Sequence, residues 1–193
     1  MNNYRWRTID IVIASIIAVA FGVIFWAWNL LWGATQSAFG FFPPAQTLIY
    51  GVWLIPAVLS GLIIRKPGAA LYTETLAALI SALLGDQWGA TVIAQGFVEA
   101  LGAEVVFALF RYRDFRLPVA VLAGALSGLS AGLFDFFVWN GSYGLWSYRI
   151  PYLLLTIVSC AIIAGAGSWA LVRALAPTGV LDRFGAGRER QLV

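Results

Sequence analysis

Four carboxylates, Glu74, Glu99, Glu104 and Asp135, fall inside long apolar runs of this 193-residue sequence, and no Lys or Arg lies well inside any of those runs. A charge at the centre of a bilayer costs at least ~2.5–3.5 kcal/mol on insertion scales, so such residues turn inward and have a partner or a task. Three tasks are open to them: to sit protonated in a hydrogen bond, to relay protons or ions, or to meet a cationic or proton-donating ligand. Much other chemistry is excluded. The sequence has no histidine and one cysteine, Cys160, which removes disulfide frameworks, Cys/His metal sites, Cys–His nucleophiles and Ser–His–Asp triads together.

Spacing sorts the four acids. Gln95 and Glu99 are four apart and share a helix face, and a helix entered at Thr91 carries them roughly 6 and 12 Å deep at 1.5 Å per residue. Both can touch one small ligand. Glu104 is rotated about 140° from Glu99 and points toward the other end, where a structural bond or a pairing with basic residues suits it better. Asp135 shares its face with Trp139 at i+4, an acid-plus-aromatic pair fit for a cation, although a cap on a neighbouring helix would serve it equally. Glu74 sits near mid-membrane and either reaches the same cavity or locks the bundle by a hydrogen bond.

The elements that position these side chains follow from composition. With 61% hydrophobic and 11% charged residues, the chain departs from the ~45–50% apolar and ~25% charged usage of soluble domains. Apolar runs fall at about 9–32, 47–64, 69–84, 91–110, 117–137 and 151–175, each long enough or nearly so for the roughly 20 residues that span a bilayer. This predicts an all-α membrane protein, a six-transmembrane-helix bundle forming one domain over residues 1–193, with 176–193 as a cytoplasmic tail. The third run is the shortest and carries Glu74, so five spans plus a buried or re-entrant helix is the alternative. The first run is too long for a removed signal peptide and is expected to stay in the protein.

Basic residues set the orientation. Arg5 and Arg7 precede the first run, Arg65 and Lys66 follow the second, Arg111, Arg113 and Arg116 lie between the fourth and fifth, and Arg173, Arg183, Arg188 and Arg190 end or follow the sixth. Arg149 alone falls on the opposite side. Both termini are therefore expected in the cytoplasm. The net charge of +3 is divided among separate membrane-edge segments and implies no nucleic-acid partner.

The outward connections, about 33–46, 85–90 and 138–150, and the helix ends beside them are rich in aromatics and amides, among them Trp28, Asn29, Trp32, Gln36, Gln46, Tyr50, Trp53, Gln87, Trp88, Trp139, Asn140, Tyr143, Trp146 and Tyr148. A headgroup belt accounts for any one Trp or Tyr. It does not account for the asymmetry, because of nine tryptophans only Trp6 and Trp169 lie near the inner side. Aromatics with amides on one side predict an outward-opening pocket with π-faces for a flat ligand. On the first helix, Ala14, Ala18 and Gly22 recur every four residues and form a smooth stripe where another helix can approach, within the bundle or from a partner.

Six spans, internal termini, the "ASIIA" stretch at residues 14–18 and the aromatic pocket together resemble the substrate-binding S components of energy-coupling-factor (ECF) vitamin transporters. More narrowly, "FWAWNLLWG" (25–33), "YTETLAALISALLG" (72–85) and "QGFVEALGAEVVFALFRY" (95–112) are similar to the YkoE family, assigned to thiamin and its hydroxymethylpyrimidine moiety. The resemblance covers nearly the whole chain. It implies a plasma-membrane subunit that captures its vitamin outside with high affinity. The vitamin then passes inward through a transmembrane coupling protein and two ATPase subunits, or a fused ATPase, with no cofactor in the S component itself. It also implies that Ala14 and Ala18, matching the family's Ala-x-x-x-Ala stripe, face the coupling protein. The absence of a G-x-x-x-x-G-K-[ST] loop agrees, since the chain lacks that means of hydrolysing ATP.

Thiamin fits the acidic interior. Its aminopyrimidine pairs with a carboxylate and an amide, which Glu99 and Gln95 would supply, with Glu74 and Asp135 as further acids. Asn29, Trp32, Tyr50, Trp88, Trp139, Tyr143 and Trp146 would orient and stack its rings, each aromatic contact contributing about 0.5–2 kcal/mol. The alternative is a proton-coupled secondary transporter of a small cationic metabolite, in which Glu74, Glu99 and Asp135 form a relay. A membrane-embedded enzyme would have only carboxylate chemistry to use.

Overall fold

A computed structural model describes residues 4–188. Arg190 and the end of the expected tail lie outside the described residues, and Arg188 is described by its backbone alone. Among the described residues the chain is helical throughout, without strands. Five helical stretches are long and apolar enough to cross a membrane: Thr8–Phe39, Pro43–Ile64, Thr91–Leu109, Leu117–Val138 and Leu145–Thr178. The third run forms a shorter apolar helix, Ala69–Leu83.

Helix α1 is Thr8–Thr35. The second stretch starts as a 3₁₀ helix, Pro43–Leu54, and becomes helix α2, Ile55–Ile64. It thus begins at Pro43 rather than at 47, because Pro43 and Pro44 have no N–H to lose and fit the first helical positions. Helices α3 (Ala69–Leu83), α4 (Thr91–Leu109) and α5 (Leu117–Val138) follow. The last stretch opens with a π-helical turn, Leu145–Arg149, ahead of α6 (Ile150–Cys160). A second π segment, Ala161–Gly167, leads into α7 (Ser168–Leu175), and α8 is the short Gly185–Arg188. This stretch begins six residues before its sequence-based boundary of 151, since Pro151 sits in the first turn of α6, just after the π-helical turn, and does not break the stretch.

Helix α2 is the axis of the bundle, buried at every residue from Pro56 to Ile64. Helix α3 packs between α1 and α4, and α5 packs between α4 and the α6–α7 rod. Close packing without a hydrophobic drive in lipid depends on small residues. Where α5 crosses the π segment, a Cβ on Gly165 would lie 2.7 Å from Ala120 O and one on Gly124 would lie 2.6 Å from Gly165 N, so neither position has room for a side chain.

The Ala14–Ala18–Gly22 stripe meets the same need. Ala14 and Ala18 are fully buried within the chain, and a Cβ on Gly22 would stand 2.6 Å from Ile80 of α3. The expectation that Ala14 and Ala18 present a surface to a coupling protein is corrected here: that stripe is already covered by the chain itself. The outward residues of α1 are instead the large apolar Ile11, Val12, Ile16, Val19 and Val23.

Basic residues gather at one end. Lys66 Nζ donates to Asp10 Oδ2 and, at 2.7 Å, to Arg5 O. Arg7 Nη2 bridges Asp10 Oδ1 at 2.8 Å and Arg183 O at 3.3 Å. Tyr4 OH donates to Arg111 O at 2.9 Å, and Trp6 Nε1 to Pro67 O at 2.9 Å. The segment after 176 is no free tail within its described part, because Leu181, Phe184 and Ala186 join the core beneath α2. The opposite end collects the C-termini of α1, α3 and α5 and the starts of the second stretch, α4 and α6.

Candidate ligand-binding cavity

At that opposite end lies a cavity of about 300 Å³, at the lower limit for small-molecule sites. Helix period brings Phe25, Asn29 and Trp32 of α1 to one wall. Tyr50 and Trp53, three apart, share a face because they belong to the 3₁₀ helix, where side chains three apart eclipse. Gln95 and Glu99 descend α4 as their spacing predicts, and Asp135, Trp139 and Asn140 close the side formed by α5.

The acids are knit together by neutral donors. Tyr50 OH donates to Glu99 Oε1 at 3.0 Å. Gln95 Nε2 lies 2.8 Å from Tyr50 OH, 3.1 Å from Glu99 Oε1 and 3.1 Å from Asp135 Oδ1, more acceptors than its two hydrogens can serve. Tyr152 OH donates to Asp135 Oδ2 at 2.7 Å, and Trp139 Nε1 to Gln95 Oε1 at 3.2 Å. Glu74, fully buried, takes Ala57 N–H on Oε2 at 3.0 Å. That amide belongs to the first turn of α2, where the 3₁₀ helix gives way to the α-helix, so the carboxylate caps the start of α2. Glu74 Oε1 is left without a partner, as is Asn140 Nδ2, among the described residues.

A second cluster stands nearer the connection between α3 and α4. Asp86 Oδ2 accepts from Asn29 Nδ2 at 2.6 Å and Ser81 Oγ at 2.8 Å, and Oδ1 accepts from Trp88 N at 3.0 Å. Trp53 Nε1 donates to Asn29 Oδ1 at 2.9 Å, which fixes the amide with its NH₂ toward Asp86. Aromatic rings join the two clusters: Trp32 and Trp53 have centroids 4.9 Å apart, Tyr50 and Trp53 5.1 Å, and Trp53 and Trp88 5.8 Å. Across the cavity, Tyr143 stacks on Tyr148 at 4.2 Å, and Tyr148 on Tyr152 at 5.8 Å.

Four carboxylates, Glu74, Asp86, Glu99 and Asp135, therefore line the cavity, with no Lys or Arg among the lining residues. Arg149 is turned away: its Nη2 donates to Phe136 O near the C-terminus of α5, and its guanidinium lies 3.6 Å over the Phe136 ring. It anchors the α5–α6 connection. Glu104 points to the other end and takes the N–H groups of Gly68 at 2.7 Å and Ala70 at 3.1 Å, together with Tyr112 OH at 2.7 Å. Beside that carboxylate the Tyr112 phenol is pushed well above its ordinary pKa by burial and by its bond to Glu104.

Of the residues singled out in the sequence, Glu99, Gln95, Glu74, Asp135, Trp139, Asn29, Trp32, Tyr50, Trp88 and Tyr143 are brought together here. Trp146 is not: it is 79% exposed and outside the cavity, on a π-helical turn that leaves only Tyr148 of its length facing inward. Trp53, Gln46, Asn140 and Tyr148 were visible only as part of an outward aromatic and amide composition. Asp86 and Tyr152 were not singled out at all. The signal for Asp86 was an acid beside Gln87 and Trp88 in a short outward connection, and for Tyr152 a phenol in the first turn of the last stretch.

Comparison with known proteins gives concordant findings. Residues 9–130 match the family model described as the permease component of an ABC-type cobalt transport system. The chain is 39% identical over 186 residues, 95% of its length and 92% of the relative's, to a protein of Bacillus subtilis (strain 168) named provisionally as the HMP/thiamine permease protein YkoE. It is also similar to a crystal structure described as an S component of an ECF transporter, with a TM-score of 0.90 and 38% identity, covering 97% of this chain and 94% of that one.

Proposed function

This chain belongs to the YkoE family of ECF-transporter S components, a multi-pass plasma-membrane protein, and from that premise we propose that it captures thiamin or its hydroxymethylpyrimidine moiety in the acidic cavity. The observation that carries this is the charge imbalance: four carboxylates line the site without a Lys or Arg among its lining residues, and Glu74 Oε1 has no donor among the described residues. Ionised acids in such a place gain most from a positively charged or N–H-rich guest. Thiamin offers a thiazolium cation and an aminopyrimidine on flat rings. Gln95 and Glu99 pair with the aminopyrimidine, Asp135 and Glu74 supply negative potential, and Trp32, Trp53, Trp88 and Tyr148 provide faces for stacking and cation–π contact.

As a binding subunit rather than an enzyme, it hands the vitamin to a transmembrane coupling protein driven by ATPase subunits. The bundle crosses the membrane six times in this proposal, Ala69–Leu83 included, with the basic end and both termini in the cytoplasm and the cavity outward. Tryptophan fluorescence of the purified chain, titrated with thiamin, hydroxymethylpyrimidine, riboflavin and biotin, tests the assignment. Saturable quenching by thiamin or the pyrimidine alone is expected, and an unresponsive signal with both overturns it. Uptake that stops with an uncoupler while ATP is held constant would instead favour a proton-coupled carrier using the same acids.

A further inference from the structure

A second concavity, of about 810 Å³, lies at the basic end, far from the vitamin cavity. Its walls come from the C-terminal end of α2 (Leu62, Arg65), the connection between α4 and α5 (Arg113, Asp114, Arg116) and the end of α7 (Trp169, Val172, Arg173). Among the described residues, four arginines and one carboxylate thus line the groove. Asp114 is already committed: Arg116 Nη2 meets its Oδ2 at 2.6 Å and holds its carboxyl at about 2, so it stays ionised and paired. Arg65 is engaged with Leu62 O at 3.0 Å and lies 4.3 Å over the Phe115 ring. Arg173 rests 4.9 Å over Trp169 and meets no acid among the described residues, and Arg113 extends exposed at the rim.

The groove is amphipathic as well as basic. Its floor holds Leu62, Val172 and Ala186, and Trp169 stands beside them, a residue type suited to a membrane–water boundary. An inorganic anion would occupy a small part of this volume and none of its apolar floor. A phospholipid has the matching division: a phosphate for the guanidiniums, in the bidentate geometry that arginine favours, and glycerol and upper acyl carbons for the floor.

We propose that this groove is a binding site for the headgroup of an anionic phospholipid, with Arg113 and Arg173 as its main phosphate contacts and Trp169 as its apolar wall. Binding here would fasten α2, the α4–α5 connection and α7 to one another at the basic end, independently of the vitamin. Its recognition elements are Arg113 and Arg173, which meet no acid among the described residues, and the apolar floor together, which distinguishes it from a diffuse attraction of basic loops to a charged surface.

Native mass spectrometry and thermal unfolding of the detergent-purified full chain test this with three probes: phosphatidylglycerol, phosphatidylcholine of the same acyl chains, and inorganic phosphate. One phosphatidylglycerol is expected to stay bound per chain and to raise Tm, while phosphatidylcholine and inorganic phosphate do neither. The Arg113→Gln/Arg173→Gln double variant should hold phosphatidylglycerol about tenfold more weakly, and Arg111→Gln, outside the groove, should hold it as the parent does. Circular dichroism establishes that each variant is folded. A single-site change, Arg173→Gln, serves if the double variant does not fold. Equal retention of both lipids, or undiminished retention by the folded variants, overturns the proposal. Stabilisation by inorganic phosphate equal to that by the lipid assigns the groove to a free anion and overturns the lipid.

Discussion

The carboxylates at the two ends of this bundle live in opposite circumstances. At the basic end the buried or half-buried acids are answered within the chain: Asp10 by Arg7 and Lys66, Glu104 by two backbone N–H groups at close range and a phenol, Asp114 by Arg116. At the cavity end, among the described residues, Glu74, Asp86, Glu99 and Asp135 are held by amides, hydroxyls and backbone alone, and one oxygen of Glu74 has no donor. Under the proposed function, the same residue type serves structure where its charge is cancelled and recognition where no opposite charge meets it. A buried charge without an opposite partner costs several kcal/mol unless something external meets it, and a cationic guest does so only while bound.

Substitutions can break or sharpen this contrast. The largest effect is expected on stability at the basic end, where Glu104→Ala strands the Gly68 and Ala70 amides and the Tyr112 phenol. A loss of about 3 kcal/mol is expected in denaturant or thermal unfolding, with ligand affinity changed by less than about threefold. The reverse pattern is expected for Glu99→Ala: binding weaker by at least about 2 kcal/mol in a fluorescence titration, with stability kept or raised because a buried charge is gone. Wild-type affinity in that variant would remove Glu99 from the site.

Smaller effects sharpen the role of the rings. Trp88→Leu keeps apolar area but loses the π-face beside Trp53, so affinity should fall by about 1 kcal/mol, again by titration. Trp146→Ala, at a position outside the cavity, should leave binding within about 0.3 kcal/mol of the parent. A large loss there would mean that the α5–α6 connection folds over the ligand.

Much of this arrangement was legible because membrane helices announce themselves by length and apolarity, and because an acid in an apolar run has few places to go. Gln95 and Glu99 at i, i+4 needed nothing but helix period. Asp86 escaped because an acid in a short polar connection carries no burial signal, and only the fold shows Asn29 and Ser81 closing on it. Tyr50 and Trp53 align through a 3₁₀ helix that no periodicity at 3.6 would suggest. The Ala14–Ala18 stripe did signal a close helix contact, yet small residues say only that something approaches, and here it is α3. Phe184 and Leu181, in a polar C-terminal stretch, gave no sign that they return to the core.

The central claim, with thiamin as the guest, is that uncancelled negative charge in the cavity favours a flat cation. Titrating the purified chain with thiamin and with its neutral thiophene analogue, in which carbon replaces the charged ring nitrogen, isolates that charge at constant shape. The account predicts affinity at least about tenfold weaker for the neutral analogue, the scale of one cation–π or charge contact in a desolvated site. Equal affinity for the two would contradict it.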